Sequence, residues 1–345
     1  MVEEIFTRGR KGLAVRPFSQ SAEVRCRGYS QPLQRVIVDF GADGAFAVVP
    51  QKIKEHYGIE VPASTARQIT EGHGEAVLKS QQLQTEIPPR PGVACVIAQM
   101  DGSMIPLVET PERTDSSPPL DRRKNRQLSW QEARLCLARR VGAVTPRFGA
   151  TLGNPEEAGQ HLADCVIRTG AGCQTQIHGL GDGASWIVTQ MELRFGTQVR
   201  YLIDFSHLCD YLAAAAEVCA PDHKIAWLEQ QKKRLRQNHT EAVLDELAPF
   251  LERDKPKSEP TPVQACYRYM DNRPGQFDYA GALAADLPIG SGEIESAHRY
   301  VIQGRLKIAG AWWKKDNAAK MLALRVLRAN GDWQTYWQNS YSQAA

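Results

Sequence analysis

No stretch of this 345-residue chain approaches the ~20 consecutive apolar residues of a membrane-spanning helix, and the opening MVEEIFTRGRKG lacks the apolar core of a secretory leader. The eight cysteines stand at 26, 95, 136, 165, 173, 209, 219 and 266, and no two form a CxxC pair, which argues against a zinc finger. Without an export signal, an even cysteine count is no argument for disulfides in a chain of this size. Cys95 and Cys136 sit inside apolar, strand-like runs and read as small core residues. Internal repeats are absent. So is any strong excess of charge: the net charge is +3, with 23% charged and 42% hydrophobic residues. These absences set aside a membrane protein and a repeat array. What is left is an ordinary soluble, cytoplasmic composition, long enough for two or three domains.

What charge there is comes in clusters. Arg122, Arg123, Lys124 and Arg126 form one, and Lys232, Lys233, Arg234 and Arg236 a second. Arg305, Lys307, Lys314, Lys315, Lys320, Arg325 and Arg328 form a third. Each is read either as a solvated face or as a surface for a phosphate backbone.

Taken in order, residues 1–40 are polar and show little periodicity. A helix is expected around Phe46, Val49, Ile53 and Tyr57, stopping at Gly58, and a second after Ser64 as its cap. This pair reads either as a helix-turn-helix with Arg67 and Gln68 placed to reach bases or as a plain helical hairpin. VACVIAQMD (93–101) is nearly continuous in apolar residues, as a central strand is, and ends in Asp101. The polar, Pro-rich 108–128 reads as an exposed or disordered loop. Strands are expected at 130–139 and 143–151. Asn154-Pro155-Glu156-Glu157 then starts a helix running to about 169. A short strand ends at Asp182 between two glycines, a helix covers 185–195, and TQVRYLIDFSH (197–207) is a further strand ending in Asp204 and His207. From 209 to 286 the pattern is helical, with a Pro-rich hinge at 255–262.

The last helix opens GSGEIESAHRYVIQGRLKIAGAWW (290–313). Ser291 is a good N-cap, Glu293 and Glu295 lie in the first turn, and Glu295 shares a strip with His298 and Arg299. Acids there are also what a helix dipole favours on its own.

Three consecutive strands followed by alternating helices and strands fit an α/β fold, a mixed sheet with helices on both faces. That order matches the ribonuclease H-like fold, which sets one acid on its first strand, one after its fourth and one at its last helix. Here these are Asp101, Asp182 and Glu295. Three converging carboxylates need a cation to stay ionised together, and hard oxygen ligands select Mg²⁺ or Mn²⁺. Two such ions about 4 Å apart would clamp both oxygens of an in-line phosphoryl transfer. Trp312 and Trp313 suit either base stacking or core packing.

MDGS (100–103), GDGASWI (181–187), DFSH (204–207) and the 290–313 stretch resemble the DDE transposases of bacterial insertion sequences, in the branch related to Mutator-like elements. The resemblance covers roughly 40–330. It implies that Asp101, Asp182 and Glu295 are the catalytic, metal-holding triad, and it favours Glu295 over Glu293. It implies that Asp204 and His207 shape the site or contact DNA near it, unless His207 only caps or packs. Apart from the resemblance, His298, Arg299, Arg305 and Lys307 of the last helical stretch and Arg67 of the helix pair are candidates to contact DNA or shape the site. A metal-activated water would cut DNA at an element end, and the freed 3′-hydroxyl would attack target DNA. The implied partners are terminal repeats and target DNA, and the chain is expected to be a homo-oligomer, because two ends must be joined. It would be a bacterial, nucleoid-associated protein. Such transposases often carry a longer region ahead of the helix pair, which leaves open a shortened copy here.

The expected division is 1–90 with the helix pair, 91–208 as the first part of the core, 209–286 as a helical insertion, 287–330 completing the core, and 331–345 as a tail. Competing readings are a metal-dependent nuclease of the same fold, a domesticated DNA-binding protein without catalysis, and a two-acid glycoside hydrolase, which predicts neither metal nor basic clusters.

Overall fold

A computed structural model describes residues 6–7, 14–15, 17, 21, 28–109, 126–251 and 260–342. The basic run Arg122–Lys124, most of the Pro-rich 108–128 stretch and most of the 255–262 hinge lie outside the described residues. The chain divides into two compact units. The first comprises 1–82, 104–133 and 298–345, and the second comprises 83–103 and 134–297. Among the described residues no helix is long and apolar enough to cross a membrane.

In the first unit, β1 (Phe6–Thr7) and β2 (Ala14–Val15) form a small antiparallel pair. The N-terminal stretch is less irregular than its polarity suggests, because α1 covers Gln31–Asp43. Its inward side mixes Gln31 and Gln34 with Ile37, Val38 and Ala42, so apolar spacing alone does not reveal it. The expected helix pair is present as α2 (Val49–Tyr57) and α3 (Ala63–Ser80). Helix α2 stops at Gly58 as expected, but Ser64 is no cap: α3 begins one residue earlier, behind Pro62.

The sheet has five strands, β3 (Cys95–Glu109), β4 (Gln127–Arg140), β5 (Arg147–Thr151), β6 (Gln176–Gly181) and β7 (Val199–Ile203), in the spatial order β5-β4-β3-β6-β7. It is mixed: β4 and β5 are antiparallel, whereas β3, β6 and β7 run parallel. Two expectations shift here. Strand β3 does not end at Asp101 but continues to Glu109, so Asp101 is a mid-strand residue. The segment after β7 is not strand through His207, because Asp204 caps α6 (Phe205–Cys219) and puts His207 in that helix.

Between strands lie α4 (Pro155–Arg168) and α5 (Ser185–Phe195), with Asn154 accepting from Glu157 N at 2.9 Å as its sequence implies. After α6 come α7 (Lys224–Arg236), α8 (Thr240–Leu247), α9 (Pro262–Asp271) and α10 (Tyr279–Ala284). Alternation along the strands makes two apolar faces. Val96, Ala98, Met100 and Ile177 join residues of α4 and α5 in one cluster. Ile97, Leu180 and Leu202 join residues of α6 to α10 in the other, so helices cover both faces.

The final helical stretch is broken. An α segment, α11 (Gly292–Ala297), gives way to a π turn (His298–Gln303) and one last turn (Gly304–Leu306). The wider π turn ends the 3.6-residue spacing that would stack Glu295 over Arg299. In the first unit α12 (Lys315–Ala329) and α13 (Trp333–Ser342) follow. The expected tail is thus helical, and Trp337 is buried.

Candidate active site

The strand register sets out the acids of the second unit. Gln99 pairs with Leu180, and Gly181 with Ile203. Asp204 N donates to Gly181 O at 2.8 Å. Carried past the paired residues, this register sets Asp101 beside Asp182 and Asp182 beside Asp204. Neighbouring strands lie about 4.8 Å apart. Alternation within β3 gives Asp101 the face of Ile97, which is the side covered by α6 to α10.

The Asp182 loop is held by its backbone. Gly183 has φ +77°, a left-handed conformation that suits glycine, and its N–H donates to the Tyr201 hydroxyl at 3.1 Å. The Tyr269 hydroxyl donates to the Asp182 carbonyl at 2.6 Å. Arg273 donates through Nε and Nη2 to the Gly183 carbonyl, at 3.1 and 3.0 Å, and through Nη1 to Tyr269 O at 2.9 Å. Its guanidinium also lies 4.2 Å from the centre of the Tyr269 ring. Burial raises the pKa of both Tyr201 and Tyr269, so these hydroxyls stay protonated. The Asp182 carboxylate accepts from Ala184 N at 2.9 Å and that of Asp101 from Gly102 N at 2.7 Å.

Asp204 has a different task. It is 2% exposed, and Oδ1 caps α6 by accepting from Ser206 N and His207 N at 2.6 and 3.1 Å. Oδ2 accepts from Ser291 N at 2.8 Å and from the Ser291 hydroxyl. Ser291 therefore does not use its hydroxyl to cap the helix it precedes. Gln99 of β3 does this instead, taking the Ile294 N–H at 3.0 Å. With both oxygens occupied, Asp204 ties the start of α11 to that of α6. His207 packs edge-on against Tyr211 and Tyr269, whose rings stack 4.3 Å apart.

The two candidate glutamates part company. Glu293 is taken by Arg139, whose Nε reaches both carboxylate oxygens at 3.0 and 2.8 Å. Glu295 is exposed and has no ion pair among the described residues. Of the other expected site residues, His298, Arg299, Arg305, Lys307 and Arg67 belong to the first unit. Arg299, Lys307 and Arg67 are exposed and His298 is buried. Arg305 has no surface for a strand: it is 1% exposed, donates to Gly41 O at 3.0 Å and lies 4.6 Å from the ring centres of Phe46 and Trp313. Trp313 is likewise core, whereas Trp312 is exposed with Arg126 4.0 Å over its ring.

Gln99, Arg139, Tyr201, Tyr269 and Arg273 escaped the sequence reading. Gln99 alone carried a signal, as the one polar residue in VACVIAQM. As placed, no three His, Cys, Asp or Glu side chains among the described residues come together to hold a metal ion.

Residues 168–339, just under half the chain, match an uncharacterised protein family (UPF0236). No curated protein matches the chain.

Proposed function

We propose that this chain is a DNA transposase on a ribonuclease H-like sheet, with Asp101, Asp182 and Glu295 as its acids. The observation that supports the reading is the pairing of Gln99 with Leu180, each two residues before one of the proposed acids, together with the anchoring of α11 through Gln99 and Asp204. Gln99 precedes Asp101 by two positions on the same face, and Ile294 directly precedes Glu295. The single Gln99–Ile294 hydrogen bond therefore ties the backbone carrying the third acid to the strand carrying the first. The order of three strands, helix, strand, helix, strand, helical insertion and helix supports the fold assignment. The Arg139 pairing of Glu293 supports Glu295 as the third acid.

Carboxylate oxygens suit Mg²⁺ or Mn²⁺, and one or two such ions would supply Lewis-acid activation at the phosphate. The side chains as placed do not form a three-ligand cluster, so the cation rests on donor chemistry, and no step is derived through it. The chain's own contribution is positional. Tyr269, Arg273 and Tyr201 fix the Asp182 loop, and Asp204 and Gln99 fix the start of the Glu295 helix. Joining two element ends calls for a homo-oligomer on DNA.

The test is cleavage of labelled duplex carrying terminal inverted repeats, with Mg²⁺ or Mn²⁺. Metal-dependent nicking at the repeat ends, lost in Asp182→Ala and Glu295→Gln but kept in Glu293→Gln, is the expected result. Binding without cleavage by the wild type refutes the enzyme reading. Loss in Glu293→Gln with activity kept in Glu295→Gln refutes the choice of third acid.

A further inference from the structure

Strand β4 is much longer than the strand beside it. Strand β5 pairs only with residues Arg134 to Ala138. On the side away from β3, the first half of β4, residues 127–133 of the first unit, therefore meets no other strand among the described residues. An open edge offers its backbone N–H and C=O groups to another strand, and proteins often blunt it with lysine or proline. Residues 127–133 contain neither. They carry apolar groups into solvent instead. Leu128 is 51% and Trp130 58% exposed, and lying two positions apart they share one face.

The sequence here is complementary to itself. Reading outward from Ser129, Leu128 answers Trp130, Gln127 answers Gln131, and Arg126 answers Glu132. Two copies of the strand, antiparallel about a two-fold axis at Ser129, set these residues directly opposite one another. Leucine then meets tryptophan, amide meets amide and cation meets carboxylate, each twice over. Arg126 is exposed, and its guanidinium rests 4.0 Å from the centre of the Trp312 ring. The register is specific. An axis at Trp130 would set Arg126 against Arg134 and Leu128 against Glu132, so a slip puts like charges together and an acid on the apolar pair.

We propose that residues 126–132 are the face on which two copies of this chain pair, antiparallel about Ser129. The occupant is a second copy because the charges and apolar groups match their own order reversed. Seven residues a side fall short of the about 20–30 of a standard interface, so a dissociation constant on the order of 10 μM is expected. The pairing stands on β4 alone and not on the transposase reading, which it would serve by bringing two copies to two element ends.

Sedimentation equilibrium of the full chain, without DNA or metal, tests this over about 1–100 μM. A reversible monomer–dimer equilibrium is expected. Trp130→Ser removes an exposed ring, and Arg126→Glu and Glu132→Arg each set like charges opposite, so each is expected to weaken the dimer about tenfold or more. The double variant Arg126→Glu/Glu132→Arg restores both ion pairs and should restore the dimer. So should an equimolar mixture of the two single charge variants, because every facing pair in their heterodimer is again of opposite sign. Circular dichroism like the wild type's confirms that each variant is folded. A wild type monomeric at 100 μM, a dimer that all three single variants leave intact, or charge variants rescued neither by the double change nor by mixing would each overturn the proposal. The two readings fail separately. Dimerisation without metal-dependent DNA cleavage sinks the transposase and leaves the pairing standing. Cleavage by a chain that shows no such dimer does the reverse.

Discussion

Replacing Asp204 with alanine removes one carboxylate that serves two helices. Oδ1 caps α6 through Ser206 N and His207 N, and losing such a cap costs about 1 kcal/mol. Oδ2 is the acceptor for the backbone N–H and hydroxyl of Ser291, which is 6% exposed. Leaving a buried donor unmet costs about 1–3 kcal/mol. Summed with allowance for relaxation, Asp204→Ala is expected to destabilise the second unit by roughly 3–5 kcal/mol. Ser291→Ala loses only the hydroxyl and leaves Asp204 three N–H donors, so about 1 kcal/mol is expected there. Urea titration followed by circular dichroism measures both. Hydrogen exchange at the amides of Ser206, His207 and Ser291 locates the effect. A cost under about 1 kcal/mol for Asp204→Ala, or one no larger than that of Ser291→Ala, refutes the claim that this carboxylate joins the two helix starts.

Further outcomes follow from other contacts. Tyr269→Phe keeps the ring stacked on Tyr211 but frees the Asp182 carbonyl, and Arg273→Lys loses the paired donation to Gly183. Both are expected to lower metal-dependent DNA cleavage about tenfold or more with little change in DNA affinity, and unchanged cleavage counts against the loop's role. Gly181→Ala sets a new methyl 2.6 Å from the Tyr201 hydroxyl, so a loss of about 1–3 kcal/mol is expected by urea titration. Burial lowers the His73 pKa to about 4, from an unfolded value near 6.5. Between these values the unfolded chain binds the extra proton. The first unit should therefore lose stability as pH falls through that window, by up to about 3 kcal/mol, and His73→Gln should flatten the dependence.

Much of the sheet could be read from the chain because its signals are local. Continuous apolar runs marked β3, alternation marked β4, and Asn154-Pro155 marked the start of α4. Contacts across the chain could not be read this way. Ser291 looks like a cap in its own sequence, yet Asp204, 87 positions away, claims its hydroxyl and leaves the capping to Gln99. Arg305 looks like a surface cation within a basic run, but Phe46 and Trp313 enclose it. Tyr269 and Arg273 lie in a polar helical stretch with no motif, and only the fold shows that they hold the Asp182 loop. The strands that carry Asp101 and precede Asp182 could be read from the chain, but the end of β3 could not, and the register that pairs Gln99 with Leu180 belongs to the sheet.

Strand β3 begins in one compact unit and ends in the other, and the helix starting at Gly292 does the same. Neither unit is a continuous piece of chain. A ribosome that has released residue 297 has delivered every residue of the second unit. The first unit still lacks its last segment, including Arg305, Trp313 and α12, against which α3 packs. During synthesis α1 to α3 can therefore pack only on one another, and the side of α3 that meets α12 stays uncovered while the later-encoded sheet is already complete. Cutting the gene at any single point divides at least one unit, so the halves can be separated only by rejoining segments with new linkers.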